Sequence, residues 1–362
     1  MSRAERLLVL GAGGFLGSHL VPALLRSEGV TVDAVDLNFH KLEHQHPRLR
    51  RHVADISQSG ALNALLEQCD TVLSLTALCT PALYSTSPLA VIDANYTHLV
   101  PLVARCAERR RRLIHFSTCE VYGRVAVDGV GTPTPQMQED ETALLLGPIH
   151  RERWSYACAK QLLERLIWAY GQHHGLDFTI IRPFNVIGPR MDFLPGIDGE
   201  GVPRVLPCFM NALLRDEELL LVDGGEQRRS FISVDDFVSA IVRVVELPEA
   251  TRGEIFNVGN PSNDVTIREL AGALSDEYRR QVPHAVRPRF RQVSSREFYG
   301  EGYDDSLRRI PNIEKAERLL GFRPSMTLRE MLPAIVADYV ARYADAIAPS
   351  PPALAAAGAR RG

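Results

Sequence analysis

Tyr156 and Lys160 stand four residues apart in the stretch Arg153-Trp154-Ser155-Tyr156-Ala157-Cys158-Ala159-Lys160. Apolar residues recur at three- and four-residue spacing through Ile167 and Tyr170, so the stretch reads as a long helix running to about His174. Both side chains then project from one face, a turn apart. A free tyrosine ionises near pH ~10 and is a poor base at neutral pH. A lysine ammonium held close favours the phenolate. The pair becomes an acid–base group able to take a proton from a sugar or alcohol hydroxyl. The same spacing also arises by chance, as a boundary tyrosine beside a solvated lysine. Here the chain has only three lysines, Lys41, Lys160 and Lys315, among many arginines, and the pair lies downstream of a nucleotide-binding signature.

That signature is Gly11-Ala12-Gly13-Gly14-Phe15-Leu16-Gly17, which follows the apolar run Leu7 to Leu10 and precedes an amphipathic stretch to about Arg26. Strand, glycine loop and helix in that order let the backbone approach a pyrophosphate at the helix N-terminus. The spacing of Gly11, Gly14 and Gly17 is GxxGxxG rather than GxGxxG. A second strand, Val32 to Val35, ends at Asp36, 25 residues after Gly11. An acid there accepts from both ribose hydroxyls and repels a 2′-phosphate, which favours NAD over NADP. A lone glycine loop is more often a tight turn. With strand, helix and Asp36 in register, dinucleotide binding is the stronger reading.

The elements that must hold these residues follow in order. His52 to Ile56 reads as a third strand edge that brings Asp55 and Ile56 toward the adenine. Thr71 to Leu75 is a fourth strand, and the loop after it places Cys79 near a site. A helix is expected from about Pro88 to Arg110. A fifth strand, Leu113 to Phe116, ends in Ser117-Thr118-Cys119-Glu120-Val121-Tyr122-Gly123. Polar groups at a strand's carboxyl end are costly to bury unless used or satisfied. The residues alone leave Thr118 open between a site residue and a local backbone cap. Phe178 to Ile181 is a sixth strand, and Glu254 to Gly259 looks like a strand returning to the sheet. The alternation predicts an α/β fold, a Rossmann doubly wound parallel sheet with a smaller mixed C-terminal substrate domain. The expected division is 1–186 with about 231–262 for the dinucleotide, about 187–230 with 263–345 for the substrate, and a disordered tail over 346–362.

Composition excludes several classes. The 362 residues carry a net charge of −3, which gives no reason to expect nucleic acid or an acidic membrane as partner. The basic run Arg109 to Arg112 reads as a solvated helix cap. No run of 18 apolar residues suggests a membrane span. The start lacks a signal-peptide core. Six cysteines without CxxC pairs argue against a zinc site, any other metal centre or a disulfide framework, and fit a reducing cytoplasm.

Together the glycine loop, Asp36, Thr118 and the Tyr156/Lys160 pair resemble the extended short-chain dehydrogenase/reductase family, over about residues 6–343. The resemblance implies a Rossmann domain for NAD and a smaller domain for a nucleotide sugar, with Asn185 and Arg229 at positions that serve the UDP group. Thr118 to Gly123, combined with Arg309, is similar to the UDP-glucuronate decarboxylase group, where the glutamate and arginine serve carboxylate loss. Longer runs, Arg153 to Gln161, Gly188 to Phe193, Pro195 to Gly199 and Glu297 to Ser306, are closer to its ring-contracting branch, the UDP-apiose/UDP-xylose synthases. That branch has cysteines at the positions of Cys79 and Cys119. Val186 departs from it, standing where the branch has tryptophan.

The likeness implies Tyr156, Lys160, Thr118, Glu120, Cys79, Cys119, Arg309 and Arg153 as catalytic residues, and Arg190, Tyr303 and Asp305 beside Asn185 and Arg229 as substrate contacts. It further implies oxidation of UDP-glucuronic acid at C4, decarboxylation, and then either return of hydride to give UDP-xylose or ring contraction to UDP-apiose. The alternatives are a decarboxylase that stops at UDP-xylose or the 4-keto sugar, a uronate 4-epimerase, and a catalytically silent NAD sensor. Helices near 88–110 and 152–174 resemble those that pair in the family's dimers, so a homodimer is expected.

Overall fold

The computed structural model describes residues 5–124, 136–299, 306 and 308–347. Seven parallel strands form the central sheet: β1 (Glu5–Leu10), β2 (Val30–Asp36), β3 (Leu49–Val53), β4 (Thr71–Ser74), β5 (Arg112–Phe116), β6 (Phe178–Pro183) and a last strand, Glu254–Val258. Their order is Glu254–Val258, β6, β5, β4, β1, β2, β3. The chain runs outward one way from β1 to β3 and the other way from β4 onward. The connections leaving the carboxyl ends of the paired strands β1 and β4 therefore diverge at a switch point, where a crevice opens. The inner strands are buried on both faces, which is why they read as unbroken apolar runs. Each fully buried Leu or Val contributes about 1.5–3 kcal/mol, against about 0–1 kcal/mol for an exposed ion pair, so apolar burial holds the sheet.

Three expectations are displaced. The third strand is Leu49–Val53, not His52–Ile56. It is an edge strand fastened by polar contacts, with Arg50 at 2.7 Å and His52 at 2.8 Å from the buried Asp33, so it lacks an apolar signature. The helix over 88–110 is broken into Pro88–Ile92, a π turn at Asp93–Thr97 and Val100–Glu108. The wide turn carries the buried Asn95, whose amide donates to the carbonyls of Leu78 and Val91 and ties down the loop after β4. Arg112 is not a solvated cap. It is buried, and donates to the Val244 carbonyl at 2.8 Å and Thr251 Oγ1 at 2.7 Å, closing the end of helix Val234–Glu246.

Beyond β6 the chain forms small strand pairs and helices. Arg228–Ser230 lies between Asp264–Thr266, antiparallel, and Arg308–Arg309, parallel. Helices Val205–Leu214, Ile267–Gln281 and Leu328–Ile347 share one continuous apolar core with β1 and helix α1 (Phe15–Leu24). The last of these helices includes residues 346 and 347, which were expected in the tail; 348–362 lie outside the described residues. Among the described residues no helix is long and apolar enough to cross a membrane.

Candidate active site

The glycine loop sits where β1 ends and α1 begins. A Cβ on Gly13 would lie 1.9 Å from the Asn38 carbonyl oxygen, and one on Gly17 would lie 2.5 Å from that of Ala12. Gly14 caps α1 and has ordinary room, its nearest neighbour 3.5 Å away. Gly13 is thus the tightest position of the cradle, although the GxxGxxG spacing passes over it. The Gly13 amide donates to Asp36 Oδ2 at 2.8 Å, and the Leu37 amide to Oδ1 at 2.7 Å. Two bonds leave lone pairs on that carboxylate for a ribose.

The first-turn amides of α1 have no partner within the helix and are available to a phosphate. Phe15 and Leu16 pack their side chains into or against the core, which leaves their backbone as what they offer a dinucleotide. Asp55 is exposed after β3; the Ser57 amide and hydroxyl hold its carboxyl below the usual range. Ile56 packs against the second apolar cluster beside it. The hydroxyls of Ser74, Thr76 and Ser117, at the ends of β4 and β5, have no hydrogen-bond partner among the described residues. Glycines without room for a side chain, offered amides and orphaned hydroxyls along one crevice fit NAD.

The reacting groups meet at the end of β5. Thr118 is extended and caps the short turn Cys119–Tyr122, its Oγ1 accepting from the Glu120 amide at 3.2 Å. The same hydroxyl is hydrogen-bonded to Tyr156. Tyr156 opens helix Ser155–His174 and lies buried, stacked on Tyr84 with ring centres 4.9 Å apart. Burial, with the nearby Cys79 and Glu120, pushes its phenol well above the usual range. Lys160 is 0% exposed and donates to the Phe116 carbonyl at 3.0 Å. That bond uses one of the three ammonium donors, and desolvation brings its pKa down to about 8. In the ligand-free chain burial thus favours the protonated phenol.

Beside this pair, Glu120 is gripped from two sides. Arg153 Nη1 lies 2.7 Å from one carboxylate oxygen and Arg309 Nη1 3.2 Å from the other. Both arginines are buried, at 2% and 4% exposure. Arg153 also lies 5.4 Å from the Tyr84 ring and 5.2 Å from that of Trp154. Arg309 is delivered by its strand, where it pairs in register with Arg229. Glu120, Arg153, Arg229 and Arg309, with Asn185 and Phe209, line a cavity of about 690 Å³, within the size range of small-molecule sites. Asn185 takes a left-handed backbone (φ 30°), and its amide donates to the Ser230 carbonyl at 3.0 Å.

Cys119 is buried next to Glu120 in the turn after β5, and Cys79 is exposed in the loop after β4. Cys79 is nonetheless hemmed in by protein, and desolvation raises both thiols, opposed by Arg204 at Cys79 and by Arg309 at Cys119. Both are thiols rather than thiolates at neutral pH. Arg190 does not join the cavity. Its amide donates to Asp338 at 2.7 Å and its guanidinium to the Ser18 carbonyl on α1, because its left-handed backbone (φ 62°) turns it toward that helix. Tyr303 and Asp305 lie outside the described residues. Two participants had no sequence signal. Tyr84 follows no motif, and Arg204, held by Asp192 and 5.9 Å from the Phe15 ring, sits in an aperiodic Gly/Pro-rich loop. Among the described residues no group of three or more His, Cys, Asp or Glu could hold a metal.

The model of the NAD dependent epimerase/dehydratase family matches residues 7–259. The UDP-D-apiose/UDP-D-xylose synthase of Oryza sativa subsp. japonica is 45% identical over 361 residues, covering 94% of this chain and 90% of its own. Among solved structures, the PbgP3 protein from Burkholderia pseudomallei superposes with a TM-score of 0.82 at 34% identity, covering 96% of this chain and 99% of that one. DesIV, a dTDP-glucose 4,6-dehydratase from Streptomyces venezuelae solved with NAD and TYD bound, gives 0.77 at 27% identity over 93% and 97%. On the glycine cradle, the Thr118–Tyr156 contact and these likenesses, the chain belongs to the NAD dependent epimerase/dehydratase family and is an NAD-dependent enzyme.

Proposed function

We propose that the protein converts UDP-glucuronic acid to UDP-apiose together with UDP-xylose, by oxidation at C4, decarboxylation and ring contraction. One observation carries this reading: Glu120, two residues from Thr118, is clasped by two buried arginines on the wall of the cavity. The formal charge of the trio is +1, which suits a substrate carboxylate; a neutral hexose offers no partner for it. The 45% identity to a UDP-D-apiose/UDP-D-xylose synthase points the same way.

NAD bound in the glycine-lined crevice supplies a reversible hydride acceptor and, when oxidised, a cationic ring. Tyr156 takes the proton of the C4 hydroxyl, and entry of positive charge draws its phenol down from the raised value of the empty site. Thr118, already bonded to Tyr156, donates to the oxygen that becomes the ketone. The carboxylate on C5 is then β to a ketone. Arg309 and Arg153 orient it, and carbon dioxide leaves with the C5 electrons passing into an enolate. Glu120 handles the proton that C5 regains. Reduction at C4 gives UDP-xylose. Alternatively the C2 hydroxyl loses its proton, the C2–C3 bond breaks in a retro-aldol step, and C2 joins C4. This leaves a C3 aldehyde whose reduction yields UDP-apiose. Cys79 and Cys119 would serve these extra transfers.

Asn185 and Arg229 would hold the UDP group. The same reading divides the chain into residues 1–186 with 231–262 for the cofactor and 187–230 with 263–345 for the sugar nucleotide, in a cytoplasmic homodimer. Leu162 and Trp168, exposed on the Tyr156 helix, are the apolar residues such a dimer would cover; sedimentation velocity tests this.

NMR of the products from ¹³C-labelled UDP-glucuronic acid tests the reaction. UDP-apiose with UDP-xylose and labelled carbon dioxide is expected. UDP-xylose alone would remove the ring contraction, and absence of carbon dioxide would remove the whole assignment. Cys79→Ser and Cys119→Ser should lose apiose while still decarboxylating; an unchanged product ratio would leave the thiols without a role.

A further inference from the structure

Behind the reacting groups lies a buried chain of hydrogen bonds that the mechanism does not use. Glu164 stands one turn beyond Lys160 and two beyond Tyr156 on the same helix face. Arg182, on β6, grips both its carboxylate oxygens, Nε at 3.1 Å and Nη2 at 2.7 Å. Arg182 Nη1 donates to the Tyr122 hydroxyl at 2.9 Å. That hydroxyl donates to Asn257 Oδ1 at 2.8 Å. Asn257 Nδ2 donates to the carbonyls of Met137 at 2.8 Å and Asn312 at 3.1 Å. Met137 in turn receives the Asn312 amide, and its own amide donates to the Ile310 carbonyl, both at 2.8 Å. Tyr122 is 1% exposed and Asn257 0%.

The chain has one direction. A guanidinium only donates, so the Tyr122 oxygen must accept from Arg182 and turn its proton to Asn257. Asn257 Oδ1 must then accept, which aims its NH₂ at the two carbonyls. Its far end is the segment Ile310 to Asn312, which begins one residue after Arg309. The strand bearing Arg309 is two residues long, too short to fix itself. Its near end is the turn Cys119–Tyr122, which carries Glu120, and the helix that carries Tyr156.

We propose that Tyr122 and Asn257 are positioning residues for decarboxylation: their hydrogen bond sets Arg309 against Glu120 at a fixed spacing from Tyr156. The inference rests on the decarboxylase reading above. In Tyr122→Phe, Asn257 Oδ1 loses the hydroxyl that donates to it, its amide is free to turn over, and the 310–312 segment loosens. Tyr156 and Thr118 keep their own contacts, so oxidation at C4 continues.

The experiment gives full-length enzyme UDP-glucuronic acid and measures carbon dioxide released against 4-keto uronate or its C4 epimer formed. A thermal melt and KM are taken for each variant. Wild type that releases no carbon dioxide overturns the function itself. If wild type decarboxylates, Tyr122→Phe should shift the partition toward undecarboxylated product at least tenfold, with KM within threefold. Arg182→Lys, which keeps the charge beside Glu164 but cannot also reach Tyr122, should shift it the same way by less, and it carries the test if Tyr122→Phe does not fold. A lower melting temperature with an unchanged partition in the folded variants would make the chain a structural brace only and overturn the inference.

Discussion

The cofactor crevice and the sugar cavity are built on different length scales. The crevice is local. Gly13 and Gly17 act through backbone, Asp36 accepts the Gly13 amide 25 residues after Gly11, and all three positions follow from β1, the glycine loop, α1 and β2. The cavity is assembled from side chains far apart in the chain, its central contact joining Glu120 to Arg309 across 189 residues. Backbone contacts tolerate side-chain change but not added bulk at the glycines. Side-chain clasps invert that, because a single truncation leaves a buried charge without its partner.

Four perturbations test this contrast, in falling order of expected effect. Tyr156→Phe should reduce turnover of UDP-glucuronic acid by about 10²–10⁴-fold, the usual worth of a positioned acid–base group. NAD affinity should be unchanged. Product NMR and a binding titration check both, and near-normal turnover would remove Tyr156 from the chemistry.

Arg309→Met should strike only the cavity, with carbon dioxide release down about a hundredfold, comparable to losing one strong electrostatic contact. Absorbance at 340 nm should still rise as C4 is oxidised. Equal loss of both signals would mean that the two regions are not separable in this way.

The third perturbation is pH, acting on the crevice side. Lys160 titrates at about 8 in the folded chain, against 10.5 for an ordinary lysine, because burial disfavours its charge. Below pH 8 the folded state carries that penalty; it is relieved as pH rises from 8 to 10.5. The stability of the cofactor-free wild type relative to Lys160→Met should therefore climb across this window, by up to roughly 3 kcal/mol. Denaturant titrations that show a flat difference would refute the burial argument.

The smallest effect separates neighbouring glycines. Gly13→Ala must displace the Asn38 carbonyl and should cost about 1–3 kcal/mol of stability along with NAD affinity. Gly14→Ala meets nothing closer than 3.5 Å and should be near silent by thermal shift with NAD. The reverse order would mean that the cradle is shaped by GxxGxxG spacing after all.

What the linear chain determined is what depends on neighbours along it. Apolar runs become strands buried on two faces, a glycine loop between strand and helix becomes a phosphate cradle, and two side chains four apart share a helix face. Those features are set by backbone geometry and period, so β1, α1, the Tyr156 helix and Asp36 were legible. The edge strand Leu49–Val53 was not, since Asp33 holds it by charge rather than by apolar burial.

Only the tertiary structure decided where each cation is spent. Lys160 shares a helix face with Tyr156, and folding puts the Phe116 carbonyl within its reach. Arg112 looked solvated until helix Val234–Glu246 ended above it. Arg190 and Arg309 are alike in type, yet one closes on α1 and the other on Glu120. An arginine reaches in any direction its backbone allows, and its partner is whichever acceptor the packed chain brings within about 3 Å.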